Sequence, residues 1–261
     1  MPATPALLIN ADDFGLHQDI DRGILDCIEH GRVQSISFSP QGQSLEWKKL
    51  AELQRHGIRV GLHVTLVGEP WLTDGRLIHN WKALIKELLF SPQMQQAVEA
   101  EIARQFQACA QHDLDPQSLA HVDSHQHVHA FGRIWQPCLA LVHQFKIPRI
   151  RVPWCPSWRI IKKNAGGAAL QAIASRRRRD VPGFLPCLAI AHAGHNNAAI
   201  LTHELACGIS APCELVAHPG VNSSNLESCY ADWHFDWTGE RDALLSNEFA
   251  DAVAANGFRF A

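Results

Sequence analysis

Four short apolar runs, each ending in polar and ionisable residues, constrain this chain more than any other feature. They are ALLINADDFG (6–15), IRVGLHVTL (58–66), SLAHVDSHQHVH (118–129) and ELVAHPG (214–220). A run that is apolar and then turns polar reads as a strand buried on both faces that emerges at a functional rim. Amphipathic stretches lie between the runs. Residues 19–30 place Ile20, Ile24, Cys27 and Ile28 on one helical face, with Gly31 as a stop. LEWKKLAELQRHG reads as a helix ending at Gly57. Ser91-Pro92 starts another that runs to about His112, with Val98, Ile102, Phe106 and Cys109 as its stripe.

VQSISFSP and PRIRVP add two expected strands. Helices are expected at 133–145 and 240–256, and WKALIKELLF is a helical piece inside a long loop at 68–92. Strand and helix alternate, which implies a parallel sheet with crossover helices. For 261 residues, the expected class is α/β, a distorted or incomplete (β/α) barrel of TIM-barrel-like form, ahead of an open doubly wound sheet. No GxGxxG or P-loop pattern opens any helix. No repeat or low-complexity linker divides the chain, so residues 1–261 read as one domain.

A net charge of -3 with a pI near 6.6 gives no global attraction to nucleic acid or an anionic membrane. The eight cysteines include no CxxC pair and are scattered among apolar segments, so they read as reduced core thiols. MPATPALLIN lacks the charged start of a signal peptide, and no apolar run reaches the ~18 residues of a membrane span. A cytoplasmic location is the expectation, with a homodimer left open.

The chemistry concentrates at the polar ends of the four runs, where parallel α/β folds bind ligands. In HVDSHQHVH, His121, Asp123, His125, His127 and His129 alternate with Val122, Ser124, Gln126 and Val128. Alternate residues of a strand share a face, and such a face must be solvated, hydrogen-bonded or wrapped around an ion. A strand ending near Ser124 puts His125 at the rim and Asp123 deeper, where an aspartate orients a ligand histidine. The plainer alternative is a solvated surface tract. Asp12 and Asp13 are neighbours whose side chains diverge, which suits two different tasks. A carboxylate with two imidazoles leaves open positions on one divalent ion, as catalytic sites require. The second aspartate then serves as general base, and His218 protonates a leaving group.

NADDFG, GLHVTL, HVDSHQHVH and AHPG together resemble the YdjC-type (ChbG-type) carbohydrate deacetylases, over roughly residues 6–153 and the AHPG strand. The resemblance implies a deformed (β/α) barrel and metal-dependent hydrolysis of acetyl groups on N-acetylated sugars or oligosaccharides. By position it implies Asp13, His63 and His125 as metal ligands, Asp12 as base and His218 as acid. It gives Arg151 a role in orienting Asp12 or binding substrate. Magnesium is the metal the resemblance implies; two imidazoles suit zinc, cobalt or nickel better.

Residues 154–205 fall outside the resemblance and read as a substrate-specific insertion. Among the loop tryptophans Trp71, Trp81, Trp154 and Trp158, the WCPSW pair Trp154 and Trp158 is the expected sugar contact. SRRRR (175–179) reads as a solvated basic face, or as a contact for an anionic substituent on the substrate. Two rival readings stand: another metal hydrolase on a barrel, such as a phosphoesterase or amidohydrolase, and a metal-binding protein without catalysis.

Overall fold

A computed structural model describes residues 6–155, 165–179, 181, 184–206, 208–209 and 212–261. Trp158 and Cys207 lie outside the described residues. Four strands carry the sequence's polar-ended runs: β1 (Ala6–Phe14), β3 (Arg59–Val64), β4 (Val122–Ser124) and β6 (Cys213–Ala217). β2 (Ser35–Phe38), β5 (Cys187–Leu188) and β7 (Arg259–Phe260) complete the sheet. Every pairing is parallel, in the order β4-β3-β2-β1-β6-β5, and β7 pairs with the start of β1. Leu7, Ile9, Ile36, Leu62, Val122 and Leu215 are fully buried, as strands covered on both faces require.

The sheet curls into an incomplete barrel. PRIRVP, expected as a fifth strand, is reduced to a single bridge between Ile150 and Val122. Pro148 and Pro153 cannot donate to a ladder, so regular pairing fails there. The segment still spans the gap between the sheet's edges. Val122 N donates to Arg149 O (3.0 Å), and on the other side Cys187 N donates to Trp154 O (2.8 Å).

Helices α1 (Gln18–Glu29), α2 (Trp47–Arg55), α3 (Trp81–Phe90), α4 (Pro92–Gln111) and α5 (Gly132–Gln144) fall close to their expected places. Ser91 caps α4 by accepting from Met94 N, with Pro92 in the first turn. Three expectations need correction. Within 154–183, a basic stretch that the sequence leads one to expect as irregular, Ala165–Arg177 forms helix α6, in keeping with the helix propensity of its alanines. After α7 (Ala198–Leu205) and α8 (Ser224–Cys229), the single helix expected at 240–256 is two, α9 (Trp237–Leu245) and α10 (Asn247–Ala255). Ser246 divides them, its extended backbone and its hydroxyl capping Phe249 N. Last, Cys27, Cys109, Cys138, Cys155, Cys187 and Cys213 are buried, but Cys229 is exposed at the end of α8.

Candidate metal centre and cavity

The C-terminal edge of the sheet gathers the ionisable residues. β1 delivers Asp12 and Asp13 through an irregularity: its register with β2 shifts between Ala11 and Phe14, and Asp13 takes a left-handed φ of 70°. Regular pleating would send the two side chains to opposite faces. The distortion brings both into one site, at the cost of backbone strain of the kind that gathers at functional positions.

Asp13 Oδ1 lies 3.3 Å from His63 Nε2 and 3.0 Å from His125 Nδ1. Donor atoms of these three residues all lie within 4.8 Å of one another, and all three residues are buried. Among the described residues Asp13 Oδ2 and His125 Nε2 are buried without a hydrogen-bond partner, which leaves both free to meet a ligand. This donor set fits a divalent ion. Asp12, His63 and Asp123 are equally close, but their donors are already engaged. His63 Nδ1 bonds Asp123 Oδ1 (2.7 Å). Both oxygens of Asp12 and one of Asp123 face the Arg151 guanidinium. Burial works against charge on His63, yet Asp123 and Asp13 outweigh it and push its pKa up to about 10. Burial also opposes charge on Asp13, but His125 and His63 hold it well below the usual carboxylate range.

Beneath the cluster, Arg151 is the hub. It donates to Asp12 Oδ2 (2.6 Å) and Oδ1 (2.8 Å) and to Glu214 Oε1 through Nε (2.9 Å), and it lies 2.8 Å from Asp123 Oδ2. Arg149 also pairs with Glu214. Burial raises the cost of the Glu214 charge, but Arg149 and Arg151 bring its pKa down to about 2. Asn10 Nδ2 donates to Asp12 Oδ1 (2.7 Å) and to Ser37 Oγ (2.8 Å), and Ser37 donates to Asp123 Oδ2 (2.7 Å). The histidine tract is therefore not a solvated surface. His121 is buried, and a Cβ on Gly61 would lie 2.2 Å from its ring, so the glycine of GLH makes room for it. His129 is also buried, bonded to Ser124 Oγ (2.6 Å) and Arg151 O (2.8 Å).

Above the cluster opens a cavity of about 750 Å³, whose lining includes Asp12, His63, His125 and His218. Trp81, stacked on Phe131 at 6.0 Å, forms one wall. Leu170 of α6 and Ile190 contribute apolar surface. His218 follows β6. Burial disfavours its charge, but Glu240, 3.7 Å from Nδ1, prevails with help from Asp13 and Asp12 and pushes the pKa up to about 9. Glu240 Oε2 also accepts from His218 N (2.6 Å).

Of the expected site residues, Asp12, Asp13, His63, His125, Arg151 and His218 converge. Trp154 does not line the cavity: it packs edge-on to Phe184 (5.9 Å) beneath the Arg178 guanidinium (4.5 Å). Trp71 is a core residue donating to Leu66 O. Within SRRRR, Arg177 lies over the Trp135 ring and Arg178 over Trp154, so neither is simply solvated. Sequence reasoning missed Asn10, Ser37, Glu214 and Glu240. Glu214 carried a signal, a carboxylate inside the apolar strand CELVA that demands a buried partner.

An incomplete parallel (β/α) barrel with a buried Asp-His-His cluster at its rim is a frame on which metal-dependent enzymes are built. The chain belongs to the YdjC-like protein family, whose model matches residues 6–255. It is 30% identical over 158 residues to a carbohydrate deacetylase of Brevibacillus brevis, covering 57% of this chain and 59% of that one. It is 32% identical over 152 residues to a chitooligosaccharide deacetylase of Proteus mirabilis, covering 56% and 58%. The matches thus span under two thirds of either relative's length. A solved structure from Enterococcus faecalis, provisionally named a cellobiose-phosphate cleavage protein, superposes with a TM-score of 0.73 at 20% identity, covering 99% of this chain and 97% of that one, and shares the fold. Among the described residues no helix is long and apolar enough to cross a membrane.

Proposed function

We propose that this protein is a metal-dependent hydrolase that removes acetyl groups from N-acetylated sugars or oligosaccharides. One observation carries the reading: a ligand set with unpartnered donors lies beside an arginine-held aspartate in a cavity that also presents a histidine backed by a glutamate. The deacetylase names of the two relatives support the same reaction class.

Asp13, His63 and His125 would hold the ion. Bound there, a divalent ion supplies Lewis acidity, polarising a carbonyl and acidifying water. Asp12 takes the proton of the attacking water. Arg151 and Asn10 fix its carboxylate: Oδ1 accepts from both, while Oδ2 accepts from Arg151 and keeps a second lone pair for that proton. His218, kept protonated by Glu240, delivers a proton to the departing amine. Trp81 offers the aromatic face on which a sugar ring stacks, the role the sequence had suggested for Trp154 and Trp158. We read 154–205 as the substrate-facing insertion, because α6 and Ile190 contribute to the cavity lining. The two imidazoles favour zinc, cobalt or nickel over magnesium.

The test is acetate release from N-acetylglucosamine and chitin oligomers after chelation and add-back of zinc, cobalt, nickel or magnesium. Metal-restored acetate release is expected. Phosphate release from phosphate esters without acetate release would move the protein to the phosphoesterase class. Bound metal with no turnover of either would leave a metal-binding protein.

A further inference from the structure

The two histidine ligands proposed above are held in different ways. His63 stands within a strand, and its Nδ1 bonds Asp123, which is not in the ligand set. That is the usual arrangement, in which a carboxylate or carbonyl pins the nitrogen opposite the metal. His125 lacks it. It follows the last residue of β4 and precedes two left-handed residues, Gln126 (φ 53°) and His127 (φ 54°). Among the described residues its Nδ1 bonds only Asp13, itself in the cluster, and its Nε2 has no partner.

Something else must fix this ring, and the segment 230–235 provides it. The Trp233 indole lies nearly flat on the His125 imidazole, with centroids 4.5 Å apart and planes 22° apart. Tyr230 packs against Trp233 at 4.6 Å, and its hydroxyl donates to the buried Glu69 (2.9 Å), which anchors the segment to the loop after β3. On the other side, Trp233 meets Phe235 (5.4 Å), whose ring stands edge-on to His218 (5.3 Å). Phe235 can take this place only because residue 194 is glycine, with a left-handed φ of 78°: a Cβ there would fall 2.1 Å from the phenyl ring. Asp236 N donates to Gly194 O (2.8 Å), fixing the strap's far end.

We infer that Trp233 is a positioning residue for His125, confining the imidazole by its aromatic face where the usual hydrogen-bonded partner is missing, and thereby setting the metal affinity of the site. The inference rests on the metal reading of Asp13, His63 and His125. An outer partner of a metal ligand is typically worth about 10- to 100-fold in metal affinity. Stacking constrains the ring's tilt but not its rotation in plane, so the effect belongs at the low end of that range.

The experiment titrates the metal-free full chain with cobalt(II), reading the dissociation constant by competition with a chromophoric chelator and the site geometry by the cobalt visible spectrum. The variants are W233A, W233L, W233F and H125A, each checked for cooperative unfolding without metal. Expected is loss of cobalt binding in H125A, at least about tenfold weaker binding with an altered spectrum in W233A, and recovery to within about threefold in W233F. If W233A does not fold, W233L decides: weaker binding than W233F supports the inference, and equal binding overturns it. Parent-like affinity and spectrum in a folded W233A, with binding lost in H125A, overturns the positioning role alone. Full cobalt binding by H125A overturns the metal reading and the inference with it.

Discussion

The floor of the cavity and its far wall are built on opposite principles. The floor packs Asp12, Asp13, Asp123, Glu214, Arg151 and His63 as buried groups, and each has a charged partner within hydrogen-bonding distance or close to it. The far wall includes Leu170, Ile190 and Ala193, with His218 and Glu240 as a single polar pair beside them. Buried charges must be neutralised where they stand, so the floor tolerates little movement or substitution. Apart from that pair the wall is apolar and has no buried charge to neutralise. Changes to the floor should therefore abolish chemistry or folding, and changes to the walls should tune binding and pH response.

The largest effect belongs to the ligands. H63A should remove the metal and reduce turnover to background; elemental analysis checks it, and a stoichiometric metal content would move the site. Next, D12N should keep its metal but lose about 10²–10⁴-fold in kcat, the usual worth of a general base. Near-parental turnover would remove Asp12 from that role. R151M leaves Asp12, Asp123 and Glu214 without their shared counter-charge. Breaking a buried ion pair costs about 3–5 kcal/mol, measurable as a lowered denaturant midpoint, and adding E214Q should restore part of it.

Smaller effects come from the walls. His218 is raised to about 9 in the folded chain, above the roughly 6.5 of an unperturbed histidine. The stabilisation from its protonated form is therefore complete below about pH 6.5 and is lost as the pH rises through about 9. An acid of that pKa predicts an alkaline limb of kcat/KM near pH 9, and E240Q should move the limb to lower pH. An unmoved limb would detach Glu240 from the acid's function. Smallest is W81A, which should raise KM about 2- to 10-fold, as expected for loss of one aromatic stacking contact, while W154A leaves KM unchanged. The reverse result would return the sugar contact to WCPSW.

The sequence by itself determined the fold class and pointed to the groups proposed to react. Apolar runs with polar ends, alternating with amphipathic helices, leave few alternatives to a parallel barrel. Carboxylates and imidazoles at the ends of such strands have few places to go but a shared rim. Tertiary structure decided the rest. It broke PRIRVP into a bridge and folded α6 out of a stretch with no evident pattern. It twisted β1 so that Asp12 and Asp13 face the same site, which strand periodicity alone forbids. It sent Trp154 to Phe184 and Arg178, and brought Trp81 to the cavity instead. The partners of the proposed site residues were the least legible: Glu240 lies 22 residues from His218, Trp233 pairs with a ring more than a hundred positions earlier, and Arg151 reaches 139 positions back to Asp12. Local periodicity reports which side chains share a face, and carries no information about which distant element will face them. That choice is made by packing, when every buried charge and ring must find a partner at once.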